Sequence, residues 1–155
     1  MKIRIVDLAN DYPGKISSFA EARNYFLEQL ANGEYAFFIA DDEEIPRMLL
    51  SKIEQLPGLY PYYWVRRIQL LRDKYVPAWN PHFESQLCSN RVRFYGRVHE
   101  HVTPRDPHGI IDIPVIHNQV DGRASYTDMV PAWMHSKWYQ SWMAVKKVVE
   151  VARGR

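Results

Sequence analysis

The chain has 155 residues, which is enough for one domain with its own core and too few for two domains of ordinary size. Its 20 Lys and Arg residues against 18 Asp and Glu residues give a net charge of +2, without the basic footprint of a nucleic-acid-binding protein. The one cysteine, Cys88, excludes an internal disulfide, and no apolar run approaches the roughly 20 residues of a membrane-spanning helix. We therefore expect a single domain over residues 1–155, located in the cytoplasm.

The first 40 residues carry the pattern of a strand, a helix and a second strand. Ser18 and Glu21 form a capping box ahead of apolar residues at helical spacing, and Asn32-Gly33 follows them. Two strands joined by a helix are usually parallel. The predicted elements are a strand over residues 2–8, a turn at 11–14, a helix over 18–31 and an apolar strand over 35–40.

The rest of the chain is predicted to be mostly extended, with a helix at each end. The C-terminal helix has an apolar stripe that predicts closure over the sheet, while its Trp and Lys residues also suit a membrane surface, and both interpretations stay open. A second helix starts at Pro46, and its apolar face is predicted to hold Ile45, Met48, Leu49, Ile53 and Leu56. The predicted elements are a helix that starts at Pro46 and is closed by Pro57-Gly58, strands over 62–71, 83–88, 92–95 and 110–116, a loop over 77–82, and a helix over 131–152.

Four consecutive acids, Asp41 to Glu44, stand at the carboxyl end of the second predicted strand. Like charges this close repel one another, and a divalent cation would relieve the repulsion. The alternative is a solvated charged loop after a buried strand.

Histidines and an acid form a second candidate site. Glu100 stands between His99 and His101, and His117 follows the strand predicted over 110–116. Carboxylates and imidazoles at strand ends are typical parts of a metal site with a general base beside it. Two alternatives stay open, which are structural histidines and a hydrolytic Zn²⁺ site built from His99, His101 and His117.

Two further features have competing interpretations. Arg66-Arg67 and the arginines between 91 and 97 suit either a solvated face or a surface for a diphosphate. Cys88 is predicted to be a small buried residue rather than a nucleophile, because its spacing shows no partner histidine.

Three segments together resemble family 2 glycosyltransferases of the GT-A fold, in the branch that builds lipopolysaccharide core and cell-wall glycans. The segments are SFAEARNYFLEQLANGEYAFFIADDEE, NPHFESQLCSNRVRFYGRVHEHV and IPVIH. That branch typically shows a phrase like FAEARN before a helix, a strand ending in DADE, then RFxGxVHE and a later strand-end His, and the order matches over residues 15–120. The resemblance implies an α/β fold, as an abbreviated GT-A domain with a central mixed sheet flanked by helices and a C-terminal amphipathic helix.

The resemblance also implies an inverting transfer, in which a base deprotonates an acceptor hydroxyl while Mn²⁺ or Mg²⁺ steadies the departing nucleoside diphosphate. Asp42 matches the last Asp of the family's DxD signature and is the implied metal ligand, with Asp41 beside it in the cofactor-binding position. Glu100 matches the Glu of VHE and is the implied catalytic base. His117 matches the strand-end His that completes the metal shell, and Arg23, in ARN, is implied to contact the nucleotide or its phosphates.

Two features depart from the family pattern. Ala40 stands where the first Asp of the signature usually lies, which weakens contacts to the sugar or ribose. Family members also begin with a strand, a helix and a strand that hold the base and ribose, and this chain starts after them. Three explanations stay open: another chain or a second copy supplies that part, the chain is a fragment of a longer protein, or it has become a small binding form.

The implied partners are a nucleotide-sugar donor, a glycan or lipid-linked acceptor, and a second copy or a completing partner chain. No nucleic acid is expected, and peripheral contact with the inner membrane face stays open. The alternative function is a catalytically silent glycosyltransferase-like domain or fragment that binds a nucleotide, a glycan or a partner.

Overall fold

The computed structural model describes residues 1–97 and 100–119 of the chain. Within them, short helices alternate with strands in the first half and strands dominate the second half. The elements are β1 (Lys2–Asp7), α1 (Leu8–Asp11), α2 (Phe19–Leu27), β2 (Glu34–Ile39), β3 (Glu43–Glu44), α3 (Arg47–Glu54), β4 (Tyr62–Leu71), β5 (Lys74–Tyr75), a 3₁₀ turn (Pro77–Trp79), β6 (His82–Ser89), β7 (Arg93–Tyr95), β8 (His101–Thr103) and β9 (Gly109–Gln119).

The described strands form one mixed sheet in the order β1-β2-β6-β4-β9-β3, with β5 beside β4, and a separate ribbon of β7 and β8. β1 pairs with β2 in parallel and β4 pairs with β9 in parallel, while β6 lies antiparallel between β2 and β4. β1, β2, β4 and β9 therefore run in one direction, and their carboxyl ends lie at one edge. The expectations of an α/β chain with a central mixed sheet and of a parallel first strand pair are confirmed.

The sheet must curl at this edge, because the link between β2 and β3 is short. β3 pairs with β9, and β3 therefore lies four strand positions away from β2 in the sheet. Four strand spacings measure about 19 Å in a flat sheet. The four-residue step from Ile39 to Glu43 reaches at most about 14 Å. The carboxyl ends of β2 and β9 are therefore drawn toward each other.

Two cores form, and α2 packs in one while α3 packs in the other. The first holds Ala22 and Phe26 of α2 together with Phe38 of β2. The second holds Leu49 and Ile53 of α3 together with apolar residues of β2, β4, β6 and β9. β2 is buried over nearly its whole length. Because successive strand residues point to opposite faces, its side chains supply both cores.

Most predicted elements in the described residues are found, with changed ends. β4 has the predicted bounds, and Ser18 caps α2 by accepting a hydrogen bond from the Glu21 amide at 3.3 Å. The helix predicted over 18–31 ends at Leu27, because Gln29 and Leu30 make tighter turn bonds to carbonyls three residues earlier. The first strand ends at Asp7, whose side chain caps the short helix α1.

Two expectations around α3 were wrong in detail. Pro46 is the cap before the helix rather than its first residue, since its backbone is extended. Met48 is 69% exposed and does not belong to the apolar face, which consists chiefly of the buried Leu49 and Ile53. The loop predicted over 77–82 contains the 3₁₀ turn and the first residue of β6.

The helix predicted over 131–152 lies outside the described residues, so its two interpretations stay predictions. Among the helices that the structure does describe, none is both long and apolar enough to cross a membrane.

Candidate functional site

The carboxyl ends of β2 and β9 bring together two side chains that are 75 positions apart in the chain. Asp42 follows β2, and His117 lies near the end of β9. The Oδ2 atom of Asp42 lies 2.9 Å from Nε2 of His117. The Asn118 amide also donates to the Asp42 carbonyl at 3.1 Å, which fixes the backbone of the link against β9. Two residues predicted as metal ligands therefore meet at one point.

The other ring nitrogen of His117, Nδ1, lies beside two polar side chains of β4. Gln69 is its direct cross-strand partner on β4, and Oε1 of Gln69 lies 2.6 Å from Nδ1. Nη2 of Arg67 lies 2.8 Å from the same nitrogen. Burial and the positive charge of Arg67 lower the pKa of His117 to about 4, against the opposing effect of Asp42. The imidazole is therefore neutral near pH 7.

Arg67 connects His117 to two carboxylates. Its Nη2 lies 2.8 Å from Oε1 of Glu43, and its Nη1 lies 3.1 Å from Oε1 of Glu84. Glu43 is only 5% exposed in its side chain and also accepts a hydrogen bond from Nε2 of Gln86. Burial raises the pKa of Glu43, while the charge of Arg67 acts in the opposite direction. We call the set of Asp42, Glu43, Arg67, Gln69, Glu84, Gln86 and His117 the strand-end cluster.

A β-bulge turns Glu84 toward this cluster. The pairing of β4 with β6 shifts between Tyr63 and Trp64, where Gln86 is left without an opposite residue. Beyond the bulge, Val65 pairs with Glu84, so Glu84 lies on the same face as Arg67. Without the bulge, the alternation of β6 would point Glu84 to the other face.

The predicted base and the predicted nucleotide ligand also meet. Nε of Arg23, on α2, lies 2.8 Å from Oε1 of Glu100, and the two side chains are 20% and 13% exposed. The Arg23 guanidinium lies over the rings of Phe38 and Phe94, at 4.9 and 5.0 Å from their centres. Arg23 also acts on the strand-end cluster, because its charge lowers the pKa of Glu43 against the larger effect of burial.

The remaining predicted residues lie elsewhere. Asp41 is exposed beside Asp42, and His101 is exposed on β8, in the separate ribbon. His99 lies outside the described residues. In residues 1–97 and 100–119, no three or more His, Cys, Asp and Glu side chains form a group that could hold a metal ion by itself. The hydrolytic Zn²⁺ alternative needs His99 as well as His101 and His117, so it stays a prediction.

Asp42 and His117 nevertheless fit as two neighbouring ligands of one octahedral ion. Ligand atoms about 2.1 Å from Mg²⁺ and at right angles to each other are about 3.0 Å apart. The observed separation of 2.9 Å matches this spacing, and it equally matches a direct hydrogen bond between the two side chains. Mg²⁺ is commonly bound through one or two carboxylates and completes its shell with water and substrate phosphates. Asp42 could supply one such carboxylate, and His117 lies beside it with a ring nitrogen.

No protein-family model matches this chain, and no curated protein matches it in sequence.

Sequence reasoning missed three members of the strand-end cluster, which are Gln69, Glu84 and Gln86. Each is a polar residue within a strand, and Gln69 and Gln86 are 3% exposed. A buried amide in a strand needs hydrogen-bond partners, so Gln within IQLL and SQLC was a usable signal. Arg67 was expected on a solvated face or an anion-binding surface, and it is 12% exposed with two carboxylate partners.

Proposed function

We propose that this chain is an inverting glycosyltransferase of GT-A type, which moves a sugar from a nucleoside diphosphate donor to an acceptor hydroxyl with the help of Mn²⁺ or Mg²⁺. The proposal rests on the resemblance over residues 15–120 and on one observation. Asp42 and His117, which the resemblance pairs as metal ligands, lie 2.9 Å apart at the strand-end edge. Ligand sites of open α/β sheets lie at the carboxyl ends of the strands, which is where this pair lies.

The charge of the edge favours a cation. Asp41, Asp42 and Glu44 are acids at or beside the link, and Arg67 is already engaged by two carboxylates. A divalent ion held by Asp42 and His117 would offset this excess of negative charge. When bound, the ion supplies positive charge to the diphosphate as it departs.

Glu100 supplies the base in this proposal. Its carboxylate takes the proton of the acceptor hydroxyl, the hydroxyl oxygen bonds to the anomeric carbon, and the bond from that carbon to the diphosphate breaks with inversion. Arg23 orients Glu100 through the 2.8 Å ion pair, and the rings of Phe38 and Phe94 hold the guanidinium in place. Asp41 is exposed next to the ion and is free to face the donor.

The ion pair also favours a second candidate, a catalytically silent relative that binds a nucleotide or a glycan. Glu100 is 13% exposed in its side chain and is bound by Arg23, so its carboxylate is not free in this conformation. A base must reach the hydroxyl that it deprotonates. The silent candidate expects nucleotide binding without turnover of any donor.

The first test is the melting temperature of the full chain with Mn²⁺ and, in turn, UDP, GDP, ADP or CDP. A nucleotide at about 100 times its Kd stabilises the fold by about 2.7 kcal/mol, which raises the melting temperature by about 5–10 °C. We expect one nucleotide to give this rise, only with Mn²⁺, and Asp42→Ala to abolish it. Asp112→Ala, which removes an exposed acid that pairs with Arg66, is the control and should keep it.

The second test separates the two candidates. Once a nucleotide is identified, its sugar conjugates are assayed for nucleotide release in the wild type and in Glu100→Gln. Transfer that is lost in Glu100→Gln, with the nucleotide-dependent melting shift kept, supports the enzyme. Stabilisation without turnover supports the silent relative. A chain that no nucleotide stabilises contradicts the enzyme and favours a silent relative that binds a glycan or a partner instead.

A further inference from the structure

The two ring nitrogens of His117 lie close to polar atoms of three different residues. Nδ1 faces both Oε1 of Gln69 at 2.6 Å and Nη2 of Arg67 at 2.8 Å. Nε2 faces Oδ2 of Asp42 at 2.9 Å. Neutral imidazole has one N–H and one lone pair, so the two neighbours of Nδ1 favour opposite tautomers.

The tautomer decides whether Nε2 directs a proton or a lone pair toward Asp42. If Arg67 donates to the Nδ1 lone pair, the ring proton is on Nε2 and points at the Asp42 carboxylate. If Gln69 accepts from Nδ1–H, the Nε2 lone pair faces that carboxylate, and two electron-rich atoms then lie 2.9 Å apart. A cation bound to both atoms would relieve the repulsion in this second arrangement.

In the second arrangement the Nδ1–H faces the Nη2 donor of Arg67 at 2.8 Å, so the guanidinium must shift away from the ring toward its carboxylates. The Nη2 atom that approaches His117 also lies 2.8 Å from Oε1 of Glu43, and Nη1 keeps Glu84 at 3.1 Å. The guanidinium therefore retains charged acceptors when the Nδ1 lone pair is withdrawn. Gln69 is fixed as well, because its backbone amide and carbonyl both bond to the side-chain amide of Asn80.

We propose that Gln69 is a positioning residue for a divalent cation at Asp42 and His117, because its Oε1 accepts the Nδ1 proton and so directs the Nε2 lone pair to the ion. The inference rests on the proposed function and adds the residue that selects the ligating tautomer. Metal-bound histidines generally donate their second ring N–H to such a partner, and loss of the partner weakens metal binding about 10–100-fold.

Two substitutions at this position separate positioning from mere packing. Gln69→Leu keeps a similar volume and removes the acceptor, and Gln69→Glu keeps the shape and makes the acceptor stronger. We expect the Kd for Mn²⁺, measured by titration calorimetry on the full chain, to rise about 10–100-fold in Gln69→Leu. In Gln69→Glu it should stay the same or fall. A purely structural role would weaken binding in both. Gln29→Leu, at an exposed site, is the matched control.

A second measurement reads the tautomer directly. Nitrogen NMR of histidine-labelled protein should place the His117 proton on Nε2 without a metal and on Nδ1 with saturating Mg²⁺. In Gln69→Leu, the Mg²⁺ concentration that moves the proton in the wild type should leave a larger share of it on Nε2. This reading holds for any variant that remains folded by circular dichroism, and Gln69→Glu is available if Gln69→Leu unfolds.

The outcomes separate this inference from the proposed function. If the wild type binds Mn²⁺ through Asp42 and Gln69→Leu binds it equally well, the role of Gln69 is wrong and the proposed function stands. A proton that remains on Nε2 in the Mg²⁺-saturated wild type overturns the role of Gln69 in the same way. If the wild type binds no Mn²⁺ with or without nucleoside diphosphates, the proposed function falls and this inference falls with it.

Discussion

Two neighbouring arginines on β4 show how strongly burial affects the contribution of an ion pair to stability. Arg67 is 12% exposed and contacts Glu43, which is 5% exposed. Arg66 is 37% exposed and lies 3.3 Å from Asp112, which is 77% exposed. A buried charge that loses its partner is costly, whereas an exposed pair exchanges its contacts for water.

Replacement of Arg67 should therefore destabilise the fold much more than replacement of Arg66. We expect Arg67→Met to lower the free energy of unfolding by about 3–5 kcal/mol, since Glu43 is left buried without its cation. Arg66→Met should change it by less than about 1 kcal/mol. Urea unfolding of both variants at pH 7 measures the difference. Equal losses would show that Glu43 is not held by Arg67.

His117 should make stability depend on pH. Its pKa is lowered from 6.5 to about 4 by burial first and by Arg67 next, so the unfolded chain takes up a proton between these values and the native chain does not. The contribution of His117 is complete above pH 6.5 and is lost as the pH falls toward 4, by at most about 3 kcal/mol. Glu43 opposes this trend, because its raised pKa favours the native state at lower pH.

The comparison with His117→Gln isolates this effect, since Glu43, Asp42 and Arg67 are common to both proteins. We expect the free energy of unfolding of the wild type to fall more steeply between pH 6.5 and 4 than that of the variant. Urea unfolding with a chelator present, at several pH values, gives both curves. Parallel curves would contradict the neutral, buried state of His117.

The sequence identified the residues of the site that stand at strand ends, and missed those that depend on strand register. Asp42 and His117 could be predicted because they follow or end apolar runs, and parallel strands bring such ends together. Glu84 could not, because its face depends on the bulge opposite Tyr63 and Trp64. Pattern alone gives alternation along one strand, and the residue at which that alternation shifts is set by the neighbouring strand.

At the scale of elements, local signals predicted where structure begins better than where it ends. Ser18 caps α2 as the capping-box pattern indicates. The end of α2 and the pairing of β3 depend on contacts made elsewhere. Glu43 and Glu44 are a strand only because His117 and Ile116 of β9 offer them partners.

The Ser18 cap gives a prediction at this scale. Ser18→Ala removes the acceptor of the Glu21 amide hydrogen and should lower the free energy of unfolding by about 1 kcal/mol. Ser17→Ala is the matched control, because the described contact of Ser17 is made by its backbone carbonyl, to Nε of Arg97, and the substitution keeps that carbonyl. Thermal unfolding of both variants measures the effect. A larger loss in Ser17→Ala would show that the α2 cap is misassigned.

At the scale of the whole molecule, Cys88 lies at the centre of the sheet and reports on its integrity. It pairs with Ala36 of β2 on one side and with Tyr62 of β4 on the other, and it is fully buried. Burial raises the pKa of its thiol to about 12, so both access and the thiolate form are suppressed in the native state.

We expect Cys88 to react with a thiol reagent only when the sheet opens. Labelling of the native chain at pH 8 should be slower than labelling in 8 M urea by a factor of at least about 10³, in line with the population of the opened state. Native labelling followed by mass measurement determines both rates, and the chain has no second cysteine that would confuse the count. Fast native labelling would mean that β6 is not held between β2 and β4.

The short link between β2 and β3 has a consequence for how the chain folds. The link can take its place only when β9 is present beside it, because its Asp42 contacts a residue 75 positions later. Such distant pairings require long loops to close, with a loss of chain entropy, before favourable contacts form. They therefore slow folding relative to helical proteins of this size. The strand-end cluster is therefore expected to form late, so a cation bound there would slow unfolding rather than speed folding.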